Sequence, residues 1–143
     1  MTAPVRIERH IAAPPASVYR YLVDPELLAV WFGIECTLET RPGGSFEMLS
    51  PNGMTASGEV IDVMTDTKIS FTWGWRGHPA VPPGSSLVEI ELIPDGAGTL
   101  VRLTHSGLEL DEQPLHRLGW EHYLRRLMTG ATGGDPGPDT GAA

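Results

Sequence analysis

Between Ile34 and Ser106 the chain repeats one pattern six times: a run of six to ten residues with apolar side chains at alternate positions, set off by turn-forming residues. The runs are Ile34–Glu39, Ser45–Ser50, Met54–Val63, Lys68–Trp75, Ser86–Ile93 and Thr99–Ser106. A two-residue period is that of a strand with one buried face. The separators Pro42-Gly43-Gly44, Pro51-Asn52-Gly53, Thr65-Asp66-Thr67 and Pro94-Asp95-Gly96-Ala97-Gly98 suit tight turns,. Strands joined by such turns are antiparallel. The join at residues 77–85 carries three prolines and is too long for a tight hairpin, so it is either a lid or a plain surface loop,.

Before this region, Val5, Ile7, Arg9 and Ile11 alternate as a first strand, and Pro14-Pro15 stops it. Val18, Tyr21 and Leu22 then follow helical spacing to about Val23, and Asp24-Pro25 opens a second short helix through an N-cap Asp and a Pro at its first position,. After the last strand, Asp111 is the expected cap of a long helix running to about Thr129,. Its apolar side holds His116, Gly119, Trp120, Tyr123, Leu124 and Leu127, while Arg117, Glu121, Arg125 and Arg126 fall on the other,. Residues 130–143 contain no large apolar side chain and are expected to be a disordered Gly/Pro-rich tail after one domain, residues 1–129,.

This order of elements predicts an α+β fold in which a curved, seven-stranded antiparallel sheet wraps around the long C-terminal helix. The expected inward faces are Ile69, Phe71, Trp73 and Trp75; Val88, Ile90 and Leu92; Val101, Leu103 and His105; and Phe46 with Met48. Trp31 and Phe32 come from the second helix and its end, and His116, Trp120 and Tyr123 from the last helix. These rings either fill the interior or wall a cavity. One helix laid across a wide curved sheet leaves space at the open end, which favours a cavity, and apolar concavities are common small-molecule sites. The candidate ligand-binding set is therefore Trp31, Phe32, Phe46, Met48, Phe71 and Trp73, together with Trp75, Leu103, His105, His116, Trp120 and Tyr123.

Composition narrows the partners. The net charge is −8 and the ten basic residues are scattered, so the footprint of a nucleic-acid binder is missing,. No apolar run reaches the roughly 20 residues a bilayer span needs, and the N-terminus lacks a secretory pattern, so a cytoplasmic protein without membrane insertion is expected. A single lysine, Lys68, against nine arginines suggests a GC-rich bacterial gene. Cys36 cannot pair within the chain and shares a strand face with Ile34 and Leu38, as a small buried thiol would,. The five histidines show no i,i+4 pair and one cysteine cannot form a thiolate set, so neither a metal nor another cofactor is expected,.

Several short motifs occur in a fixed order: Ile11-Ala12-Ala13-Pro14-Pro15, Val18-Tyr19, Asp24-Pro25, Trp31-Phe32, Pro42-Gly43-Gly44-Ser45-Phe46, Gly58-Glu59-Val60, Ile69-Ser70-Phe71-Thr72-Trp73, Leu103-Thr104-His105-Ser106-Gly107-Leu108 and Gly119-Trp120. Over residues 5–128 this set resembles the START-like, or polyketide cyclase/dehydrase, superfamily with its helix-grip fold, and more narrowly the branch named for the activator of the ninety-kilodalton heat-shock-protein ATPase. The resemblance implies several alternative functions: binding of lipids or polyketides, polyketide cyclisation, self-resistance in antibiotic producers, or assistance to chaperones. The chaperone activators similar to this domain carry a further N-terminal domain, which ranks that role last.

The leading expectation is binding of an aromatic or polyketide-like hydrophobic molecule by a monomer or weak dimer. A cyclase or dehydratase would use His105 and Tyr123 as its catalytic pair. A self-resistance protein would capture, or be consumed by, a reactive natural product. His105 is also readable as a structural histidine satisfied by a carbonyl or Tyr, and Tyr123 and His116 as interfacial packing with wet polar tips. The parity around Val60 and Ile61 leaves the direction of Glu59 open.

Overall fold

A computed structural model describes residues 3–142; Met1, Thr2 and Ala143, the outer ends of the N-terminal and tail readings, lie outside the described residues. The order is β1 (Val5–Ile11), α1 (Pro15–Val23), α2 (Pro25–Trp31), β2 (Glu35–Leu38), β3 (Ser45–Leu49), β4 (Thr55–Met64), β5 (Lys68–Trp73), β6 (Ser86–Asp95), β7 (Gly98–Ser106), a 3₁₀ turn (Leu110–Glu112) and α3 (Gln113–Ala131). All seven strands form one antiparallel sheet in the order β1-β7-β6-β5-β4-β3-β2. Consecutive hairpins build it from β2 to β7, and β1 closes the order by pairing Val5 with His105 through Ile11 with Thr99. None of the described helices is long and apolar enough to cross a membrane.

The sheet curves because β4 bends. Its ladder to β5 shifts register between Val60 and Asp62, so Val60 is buried while Ile61 turns outward. This bulge explains the unresolved parity in the sequence: the extra residue reverses the alternation, and Glu59 ends up exposed,. Just before the bend, a Cβ on Gly58 would sit 1.9 Å from the Thr72 carbonyl oxygen, so only glycine lets the two strands approach this closely,.

Asp24 caps α2 as its sequence suggests, its carboxylate accepting from the Glu26 N–H at 3.0 Å. The start of α3 differs. Asp111 lies inside the 3₁₀ turn, and Glu112, at the N-cap position, makes no side-chain cap. Pro114 in the first turn supplies the preset φ instead,. Two further readings are corrected. Ile34 precedes β2 and is exposed, so it shares no buried face with Cys36, whose half-buried thiol is pushed up to about 12 by desolvation. Arg126, assigned to the solvent side of α3, is buried, because that edge of the helix is covered by residues 136–138 and by the end of α2.

Candidate functional site

The space between α3 and the concave sheet divides into a filled part and a hollow part. In the filled part, Trp31 stacks on Phe32 at 4.7 Å, Phe32 on Phe46 at 5.9 Å, and Phe46 meets Phe71 at 4.4 Å. Trp31 also donates its indole N–H to the Tyr21 carbonyl at 2.8 Å, which fixes the ring in place. Leu103 and His105 are completely buried.

In the hollow part lies a cavity of about 490 Å³. Trp73 and Trp75 form one wall, Trp120, His116, Gly119 and Tyr123 of α3 the facing wall, and Met48 the floor. The β3–β4 turn (Ser50, Pro51, Asn52) with Met54, the loop residue His78, and Glu112, Leu115 and Leu118 surround the mouth. Thr140, Gly141 and Ala142 close one side. Of the twelve ligand-binding candidates, the structure therefore gathers Met48, Trp73, Trp75, His116, Trp120 and Tyr123 around the cavity. Trp31, Phe32, Phe46, Phe71, Leu103 and His105 do not line it: the four aromatic rings pack in a continuous stack, and His105 lies buried against Trp73, His116 and Trp120.

Trp75 reaches the cavity from outside the strand to which its alternation assigned it. β5 ends at Trp73, and Gly74 follows, where an added Cβ would lie 1.8 Å from the Pro82 carbonyl oxygen. The chain then crosses to the long loop, with the Trp75 N–H bonded to the Val81 carbonyl at 2.7 Å and Val81 itself buried. Within that loop His78 Nδ1 accepts from the N–H groups of Ala80 and Val81 at 3.2 and 3.1 Å. The loop is thus bonded to itself and contributes to the mouth, a role the proline content alone leaves open.

Two imidazoles pack against the tryptophans, His116 in the cavity wall and His105 buried behind it, and their hydrogen bonds fix their tautomers. Trp120 donates to His105 Nδ1 at 2.9 Å, so the His105 proton is on Nε2, which faces Ser86 Oγ at 2.9 Å; Ser86 in turn donates to the Trp73 carbonyl,. Trp75 donates to His116 Nε2 at 3.0 Å, leaving Nδ1 to donate to the Glu112 carbonyl at 2.7 Å,. Burial, helped by the neighbouring His116, pushes the His105 pKa down to about 3. Desolvation also lowers that of His116, against the raising effect of Glu112. Both rings are neutral at pH 7, and each has its lone pair engaged by an indole N–H. That is the arrangement of a satisfied structural histidine.

One polar atom is left over. Among the described residues, the Trp73 indole N–H is the buried side-chain group without a hydrogen-bond partner, and Trp73 lines the cavity. Leaving such a donor unpaired costs roughly 1–3 kcal/mol.

The residues after α3 are the part of the site that composition missed. Asp139 places its solvent-inaccessible carboxylate 2.7 Å from the Tyr123 hydroxyl and 2.8 Å from His122 Nε2, and it also accepts from the Gly141 N–H at 3.0 Å. Arg126 reaches the Val30 and Trp31 carbonyls on one side and those of Pro136, Gly137 and Pro138 on the other, at 3.0–3.5 Å. This contact set departs from the expectation of a disordered tail, because polar anchoring replaces the apolar residues whose absence motivated it. The only local signal is an Asx turn flanked by glycines at Asp139-Thr140-Gly141,. Among the described residues no three His, Cys, Asp or Glu side chains come together as a metal-ligand set.

A family model described as Activator of Hsp90 ATPase homolog 1-like protein matches residues 12–130. An AHSA1-like protein of Rhizobium etli, solved in solution, is 48% identical over 95% of this chain and 86% of its own, with a TM-score of 0.73. CalU16 of Micromonospora echinospora is 27% identical over 91% of this chain and 76% of its own, with a TM-score of 0.76. DynU16, a protein in the dynemicin biosynthetic locus, shares the fold at a TM-score of 0.84 and 23% identity over 98% of this chain and 51% of its own. No curated protein matches this chain.

Proposed function

The chain belongs to the Activator of Hsp90 ATPase homolog 1-like family, and from that premise we propose that it binds a planar aromatic or polyketide-like small molecule in the cavity between α3 and the sheet. The observation that carries this reading is a hollow of about 490 Å³ walled by the rings of Trp73, Trp75 and Trp120. The volume falls in the range of roughly 300–1,000 Å³ usual for ligand pockets, which are mostly apolar with a few polar groups that fix orientation. The catalytic alternative has less support: the ring nitrogens of His105 are both engaged, and the Tyr123 hydroxyl donates to Asp139.

Titration with 1,8-dihydroxyanthraquinone and with anthracene, followed through tryptophan emission, tests the proposal. Saturable quenching by both is expected, since both present a planar aromatic face to the tryptophan walls,. Absence of any saturable response from a protein whose circular dichroism shows it folded would reject it.

A further inference from the structure

Asp139 occupies an unusual position. It follows Asp135 in a segment with no basic residue, in a chain of net charge −8, yet its carboxylate is fully withdrawn from solvent at the edge of an apolar cavity. Burying a carboxylate is costly unless donors converge on it, and here three do: the Tyr123 hydroxyl, the His122 imidazole and the Gly141 N–H. Two of these belong to consecutive residues of α3 and would stay in place if the segment moved. The Arg126 guanidinium, one turn further along, adds positive potential at the Tyr123 hydroxyl.

The segment carrying Asp139 is held unevenly. Its base, Pro136 to Pro138, is clasped by Arg126 through main-chain carbonyls. Its tip, Thr140 to Ala142, forms part of the cavity wall, and beyond Asp139 its recorded polar tie is the Gly141 N–H to Asp139 itself. The carboxylate is therefore the fastening between the tip and α3. Both Gly137 and Gly141 have positive φ, 71° and 93°, so the backbone on either side of Asp139 rests on residues that move between conformations at little steric cost,.

We propose that the Tyr123 hydroxyl and the His122 imidazole form a carboxylate-binding subsite at the edge of the cavity, which Asp139 fills from within the chain, so that an aromatic guest bearing a carboxylate binds by displacing residues 139–142. The inference rests on the cavity being a small-molecule site and names the class of guest it takes. Tyr123 lines the cavity, so a ring system lying against Trp120 and Trp75 can present a carboxylate to the hydroxyl that Asp139 vacates. Exchange of one carboxylate for another conserves the charge-assisted hydrogen bonds. The net gain is then the apolar contact of the guest.

The experiment compares 2-naphthoate with its uncharged analogue 2-naphthalenemethanol, binding measured calorimetrically at pH 7 to the full chain and to its Asp139→Ala variant. Removing the internal competitor should tighten naphthoate binding about tenfold, since an occluded site lowers apparent affinity by the fraction that is open. The alcohol should change by no more than about twofold. Adding Tyr123→Phe to Asp139→Ala should cancel the naphthoate gain, and Asp139→Asn, which keeps the side-chain shape, gives the same ranking should the alanine variant fold poorly. Equal gains for both probes, or no gain for either, would overturn the subsite while leaving the cavity reading intact. No saturable binding of either probe to any folded variant would overturn the cavity reading itself.

Discussion

The two parts of the space under α3 are built from the same kinds of residue and end in opposite states. Where Trp31, Phe32, Phe46 and Phe71 meet, ring packs on ring, and the void left among them and their aliphatic neighbours is about 10 Å³, room for no more than a water,. Where Trp73, Trp75, Trp120 and Tyr123 meet, the rings stand around a hollow. Apolar content does not separate the two. What differs is the number of tethers: Trp75, Trp120 and Tyr123 each have a polar tip tied to a fixed partner, His116, His105 and Asp139, which holds the rings apart, whereas in the filled part Trp31 alone has such a tie, to the Tyr21 carbonyl,.

The largest expected consequence lies at the boundary between the two. His105 is neutral and buried in the folded chain with its pKa lowered to about 3, whereas the unfolded chain protonates it near 6.5. Below about 6.5 the unfolded state thus binds the extra proton, and stability falls by about 1.4 kcal/mol per pH unit down to about pH 3, with His116 acting in the same direction. Asp139, whose hydrogen bonds outweigh desolvation and hold its pKa below the usual carboxylate value, adds a loss only at lower pH. Urea unfolding of the parent and of His105→Gln between pH 7 and 4.5 should show a shallower slope in the variant; identical slopes would contradict a neutral, tethered imidazole. Next in size, Phe46→Ala in the filled part should cost about 3–5 kcal/mol of stability, with little change in anthraquinone affinity apart from that due to unfolding. Thermal melts with and without the quinone would separate those two terms. The smallest effect on stability should come from Trp75→Phe, which removes the tether from this half-buried ring to His116 and should cost about 1 kcal/mol,. The same change should weaken quinone binding severalfold, and a variant that binds as well as the parent would show that the tethers do not keep the cavity open.

This contrast also sets what could be read from the chain. Alternation and turn chemistry suffice for the run of hairpins from β2 to β7, the two short helices and the inward faces of β5, β6 and β7, because each depends on residues a few positions apart; the pairing of β1 with β7 joins distant residues and is not fixed by them. The twelve candidate ligand-binding residues divide evenly between the cavity lining and buried packing for the opposite reason. Phe46 and Trp73 are both buried and stack on each other at 5.5 Å, yet only Trp73 borders the cavity, a distinction that alternation along a strand does not carry. Trp75 lies beyond the end of β5, where it still pairs with Ala56 of β4 and reaches the cavity wall. His78, Glu112 and residues 140–142 had no apolar signal, and their contribution comes from loop and segment paths held by hydrogen bonds between residues distant from those turns. Arg126 shows the limit of a helical wheel: it sits at the margin of the apolar face, and a partner outside the core buried it.

The clasp formed by Arg126 has a consequence for how this mouth can diversify. Every acceptor it engages is a main-chain oxygen, so the guanidinium recognises the path of residues 136–138 and is indifferent to their side chains. Substitutions in the neighbouring tip can therefore alter the shape and charge of the rim while the strand of chain that presents them stays moored, which makes the aperture the most readily retuned part of the molecule.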